Sequence, residues 1–226
     1  VATVSVHRKA VKSRARPALN RDRVVQSAIA LADQGDINAL SMRRLAQELS
    51  VEAMSLYHYF PSKEALLGAM IDTIYAEMEL PPETPDWRSD MRTCAMSAKE
   101  TFLRHRWAAP LVGEMVTPFG ARFAWMNGVL GRLRTAGFSA NMTHHAYHAL
   151  DSHIVGYVLW ALPYLAATQE LPDAAREFVE SPQLADLPYL VEHIQEHIAD
   201  RSGEVSEFEF GLGLILDGLE RVRADA

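Results

Sequence analysis

The chain has 226 residues, of which 22 are basic and 29 acidic, for a net charge of −7, and it holds a single cysteine. That length exceeds a typical single domain, and one cysteine excludes an internal disulfide and fits a reducing compartment. The longest apolar run, fourteen residues from Ile154 to Ala167, contains a proline and falls short of the about 20 residues a membrane-spanning helix needs. Charge is unevenly distributed. Residues 1–65 hold ten basic and six acidic side chains, and the remainder twelve and 23. A basic N-terminal part can neutralise phosphates, whereas an acidic body is repelled by them unless held beyond a Debye length of about 8 Å.

Residues 1–19 form a basic arm with Arg8, Lys9, Lys12, Arg14 and Arg16, closed by Pro17. It has no apolar periodicity and no secretory pattern. Next comes a run of short helices, of which Leu40–Lys63 is the most informative. Ser41 is a suitable N-cap. Met42, Leu45 and Leu49 recur at helical spacing and make one buried face. Ala46 is small enough for a close helix crossing. Leu49-Ser50-Val51 reads as a turn. A second helix then starts near Glu52, with Leu56 and Phe60 inward. It exposes Ala53, Met54, Ser55, Tyr57 and His58, with Tyr59 beyond them. Pro61 ends it, and Ser62 caps the helix that leads toward the body over 62–79. Short side chains at the start of the second helix let its backbone approach a major groove. The expected DNA-contacting set is Ser41, Arg43, Ala53, Met54, Ser55, Tyr57, His58, Tyr59 and Lys63.

These residues also carry a resemblance. Ser50-Val51, then Leu56-Tyr57-His58-Tyr59-Phe60, then Lys63 are similar to the signature of tetracycline-repressor-type (TetR family) regulators, with serine where the family has glycine at the turn. A left-handed Ser50 costs roughly 1–2 kcal/mol. The segment Phe208–Glu220, Asp86-Trp87, His105-Arg106 and Gly137-Phe138-Ser139 resemble the same family. The resemblance implies an all-α chain: a three-helix helix-turn-helix domain over 20–65, then a helical ligand-binding and dimerisation domain over 80–226. It implies a double-stranded DNA operator, a small-molecule effector and a homodimer as partners, a cytoplasmic location, and no cofactor. The tetracycline-binding branch uses a histidine in the segment matching Trp107–Val116, where this chain has none. The implied ligand is therefore a larger or more apolar molecule.

The body reads as six helices near 86–106, 107–115, 118–136, 142–166, 184–199 and 205–223, with a proline-bearing loop over 168–182. Heptad-like stripes run through Leu150, Ile154, Tyr157 and Ala161 and through Leu212, Ile215 and Leu219. Gly211 and Gly218 lie seven residues apart. Each glycine costs about 1 kcal/mol in a helix, which suggests close helix approach. These nine residues are the expected dimer interface, in a four-helix bundle across a two-fold axis. The expected pocket lies on opposite faces: Met91, Cys94, Phe102, Phe123, Trp125, Met126, Val129, His144, Tyr147, His148 and Asp151, with Trp160 closing an end. A methionine- and aromatic-rich lining with few polar groups suits a small-molecule site. His144, His148 and Asp151 have zinc-ligand spacing on one helix, but two or three ligands from one element do not close a site, and no metal is expected. No nucleophile triad, metalloprotease or phosphate-loop motif is readable. The alternatives left open are a helical enzyme and a structural DNA-binding protein without a ligand.

Overall fold

The structure is a computed structural model. It describes residues 18–35, 37–112, 120–166, 178–179, 181–184, 186–198 and 206–224. The basic arm up to Pro17 and most of the expected loop over 168–182 lie outside them.

The described residues are helical with no strand. Helix α1 spans Arg21–Asp33, α2 Met42–Leu49, α3 Ala53–Tyr57 and α4 Lys63–Tyr75. Side-chain caps start three of the four: Asn20 accepts from the Arg23 amide, Ser41 from Arg44 and Ser62 from Ala65. The body follows with α5 over Trp87–Arg104, α6 over Ala109–Val112, α7 over Ala121–Thr135 and α8 over Ala140–Ala166. Helices α9, Pro188–Ile198, and α10, Glu207–Ala224, complete it. Pro188 takes the first position of α9, where its missing N–H costs nothing. Ser206 caps α10: its hydroxyl accepts from the Glu209 amide and donates to the Glu209 carboxylate. Gly137 sits at φ 95° and turns the chain sharply from α7 into α8.

Ser50 ends α2 in the left-handed region, at φ 54° and ψ 49°. Its N–H reaches Gln47, and the Val51 N–H reaches Ala46. That conformation sets the angle at which α3 leaves α2. Leu45, Leu56 and Phe60 are fully buried beneath the turn with Val24 and Ala28 of α1. Helix α8 is the centre of the body, packing against α5, α7 and α10. Helix α4 joins the two parts, packing against α1 at one end and α7 at the other. One continuous apolar core runs from α1 through α4 into α10.

Candidate DNA-reading surface and effector cavity

Arg43, Arg44 and Ser41 are exposed at the start of α2, although the Ser41 oxygen is occupied as the cap. On α3, Met54 is 71% exposed and Tyr57 and His58 are also open, while Ala53 and Ser55 are half-buried. Lys63 begins α4 beside them. These side chains share one apolar floor, formed by Leu45, Leu49 and Leu56. Tyr59 departs from the expectation. Its hydroxyl donates to the Leu19 carbonyl at 2.8 Å, and Arg21 donates to the Tyr59 carbonyl while lying 4.1 Å over the Phe60 ring. Tyr59 fastens the head of α1 to the motif rather than standing free for DNA.

In the body, α5, α7 and α8 line a narrow apolar space with room for at most about one water molecule. Six of the expected pocket residues line it: Met91, Cys94, Trp125, Val129, Tyr147 and Asp151. Leu150 and Ile154 line it too, which corrects their assignment to a dimer interface. Leu212 is likewise fully buried within its own chain, and Tyr157 packs edge-on to Phe208 at 5.1 Å. Ala161, Ile215 and Leu219 are half-buried. The stripes mark faces that are buried, and the chain itself buries most of them. Gly211 gives way to its own chain as well, because a Cβ there would lie 2.5 Å from the His153 ring, whereas a Cβ at Gly218 would meet nothing. The face left open carries Leu159 and Trp160 on α8 and Phe210 and Leu214 on α10.

The other expected pocket residues are elsewhere. Phe102 is buried behind the cavity, edge-on to Tyr75. Phe123 is exposed and Met126 half-buried, and neither lines the space. His144 and His148 meet edge-on at 4.5 Å on the outer side of α8, and Trp160 stands in the open groove lined by α8, α9 and the start of α10. Among the described residues no group of three or more His, Cys, Asp or Glu side chains is placed to hold a metal.

Burial dominates the cavity's chemistry. It raises the pKa of Asp151 above the usual carboxylate range, against the opposing charges of His148 and Arg122. It pushes the Cys94 thiol up to about 11 and the Tyr75 hydroxyl to about 12, and it raises Tyr147 further with help from Asp151. Trp125 is 7% exposed, and its Nε1 is buried with no hydrogen-bond partner. An unpaired buried donor costs about 1–3 kcal/mol.

Two further constellations connect body and motif. Asp72 on α4 accepts from the Arg122 amide at 3.1 Å, capping the start of α7, where Gly120 has no side chain to do so. Three residues on, Tyr75 meets Trp125 at 5.9 Å. The second is a hub around the buried His105. His105 Nδ1 lies 2.9 Å from Asp33, the last residue of α1, and Nε2 lies 3.2 Å from Glu77. Trp107 donates to Asp33 at 2.7 Å, and Arg104 pairs with Glu77. The sequence reading missed both. The one available signal was Asp33, an acid in the last turn of a helix, where the dipole disfavours it.

The pattern described as "Bacterial regulatory proteins, tetR family" matches residues 24–70, and that of the "Tetracyclin repressor-like, C-terminal domain" matches 80–223. The chain belongs to the tetR family of bacterial regulatory proteins. As a tetR-family member it is a DNA-binding transcriptional regulator. It is 30% identical over 221 residues to the HTH-type transcriptional repressor DrrR1 of Streptomyces coeruleorubidus, covering 91% of this chain and 78% of that one. An HTH-type transcriptional regulator of Saccharopolyspora erythraea is 32% identical over 148 residues, 65% of this chain. The match spans 63% of that relative, less than two thirds of its length. Among solved structures, the Streptomyces coelicolor TetR family protein ActR in complex with actinorhodin aligns with a TM-score of 0.77 at 26% identity, over 92% of this chain and 99% of that one. Among the described residues of the tetR-family chain, no helix is long and apolar enough to cross a membrane.

Proposed function

We propose that the protein is a repressor that binds a palindromic operator as a homodimer and leaves it when a small hydrophobic molecule enters the cavity between α5, α7 and α8. The observation that carries this reading is the course of α4. It begins at Lys63, beside the exposed side chains of α3, and ends at Tyr75, against the Trp125 wall of the cavity. A ligand that moves Trp125 therefore acts on the helix that carries the reading head. Asp72 at the start of α7 makes α4 and α7 move together. A ligand shifts the balance only by binding the released arrangement more tightly than the DNA-bound one.

In this reading residues 20–65 form the DNA-reading domain, 62–79 the lever and 80–226 the body. Reading two half-sites about 34 Å apart requires two copies. The open apolar face of Leu159, Trp160, Phe210 and Leu214 supplies the contact, with Gly156 and Gly218 leaving room for close approach. We place the protein in the cytoplasm with its operator, as a regulator and not an enzyme. Gel shifts on the DNA flanking its own gene, together with sedimentation, test the proposal. The parent is expected to sediment as a dimer and to prefer a palindrome by ~10³-fold over random DNA. Gly218→Leu, which overpacks the contact at a cost of about 1–3 kcal/mol, is expected to be monomeric and to lose the operator. A monomeric parent that still binds its operator refutes the proposal.

A further inference from the structure

An open crevice lies where the DNA-reading part meets the body, and both parts build it. On one side stand the end of α1 and a short 3-10 helix, Ile37–Ala39. On the other stand the end of α5 and α6, and Leu162 of α8 also lines the space. Its volume is about 940 Å³, the size of a small-molecule site. Ile37, Leu103, Leu111 and Leu162 give it an aliphatic surface, and all four are half-buried. Their remaining apolar area is in water, and an apolar chain laid on it removes that area from solvent. Charge in the crevice is one-sided. Arg104 and Arg106 line it, and both are exposed. Arg104 contacts Glu77 only at 3.4 Å, with 58% of its side chain open to solvent. Among the described lining residues the one acid is Asp33. Its carboxylate already accepts from Trp107 Nε1 at 2.7 Å and lies 2.9 Å from His105 Nδ1. An entering carboxylate meets two guanidinium groups, whose planar forks match its two oxygens. An entering cation meets the same two groups and an acid that is already engaged. A ligand charged along its whole length leaves the aliphatic surface uncovered.

We propose that this crevice is a ligand site, separate from the space between α5, α7 and α8, that takes an aliphatic monocarboxylate with its head group on Arg104 and Arg106 and its chain on Ile37, Leu103, Leu111 and Leu162. Such a ligand touches the DNA-reading part directly. It ties the Ile37–Ala39 turn to α5 and α6, beside the Asp33–His105 contact that already joins the two parts, and so stiffens the junction.

Calorimetric titration of the full chain with decanoate, decanol and decyltrimethylammonium, each below its micellar concentration, tests the proposal. Decanol is more apolar than decanoate, so partition onto any apolar surface ranks it first, and the crevice reverses that order. Decanoate is expected to bind at one site per chain, about tenfold more tightly than either of the others, since two partly exposed ion pairs together are worth about that much. The double variant Arg104→Gln, Arg106→Gln is expected to bind decanoate about tenfold more weakly and decanol as the parent does. Arg88→Gln, at the other end of α5, removes a positive charge elsewhere and should leave decanoate binding unchanged. Saturating decanoate should raise the Tm of the parent more than that of the double variant. The parent's ranking of the three probes tests the proposal even where the double variant folds poorly. Equal or tighter binding of decanol or of the cation, a parental decanoate affinity in the folded double variant, or no binding of decanoate overturns the proposal. None of these measurements involves operator DNA, so their outcome is independent of the repressor proposal.

Discussion

Ser50→Gly should make the protein more stable, and the size of the gain follows from the geometry of one residue. Ser50 occupies the left-handed region at φ 54° and ψ 49°, the one described non-glycine residue with positive φ. Its side chain is exposed, and its backbone N–H bonds to Gln47. Glycine keeps that bond and loses no packing. Relief of the left-handed conformation returns roughly 1–2 kcal/mol. The greater freedom of glycine in the unfolded chain takes back about 0.4–1 kcal/mol. The net expectation is about 0.5–1 kcal/mol of stabilisation, or about 1–4 °C in Tm for a chain of this size. Thermal unfolding followed by circular dichroism measures it, with Ser50→Val as the opposite control, since a β-branched side chain tolerates this region poorly. Operator affinity should not change, because the turn keeps its geometry. A Ser50→Gly protein that melts at or below the parent temperature would refute the reasoning, because the turn would then owe its conformation to something other than backbone preference.

Arg43→Ala should lose discrimination at one base position by about 1–3 kcal/mol, whereas Lys63→Ala should weaken all sequences alike and lower the salt slope by about one. Selection experiments on randomised operators separate the two, and an unchanged preferred sequence for Arg43→Ala counts against its assignment. His105→Phe removes one partner each from Asp33 and Glu77, which keep Trp107 and Arg104. It should cost about 2–3 kcal/mol in urea unfolding and blunt the effector response, because the hub joins α1 to the end of α5. A variant with parent stability would mean that the hub bears no load. The Cys94 thiol, pushed up to about 11 by burial, should react slowly with a thiol reagent at pH 8 in the folded protein and rapidly in urea. The folded state holds the thiol proton more firmly than the unfolded chain, whose cysteine titrates near 8.5. Stability should therefore fall as pH rises from about 8.5 to 11, and a Cys94→Ser variant should lose that part of the slope.

Some of this protein was fixed by local chemistry and could be read from the sequence. Helix starts at Ser41, Ser62 and Asp86 follow from side chains that cap their own helices. Buried faces in the motif follow from spacing, because Met42, Leu45 and Leu49 have only one side of a short helix to share. Charge separation between the two parts and the all-helical class needed no coordinates either.

Tertiary structure decided which neighbour each buried face meets. A stripe such as Leu150–Ile154 says that a helix side avoids water, but an intrachain helix and a second copy of the chain leave the same pattern, since the hydrophobic effect is non-directional. Here α8 lies at the centre of the body, so its stripe is spent on α5, α7 and the cavity, and the outer face of Leu159 and Trp160 is what remains. The pairings of Asp72 with the start of α7 and of His105 with Asp33 and Glu77 join residues 28 to 72 positions apart. No local rule encodes them, because each depends on where the chain brings two helix ends together. The unpaired Trp125 N–H is visible only in the packed interior, where water can no longer reach it.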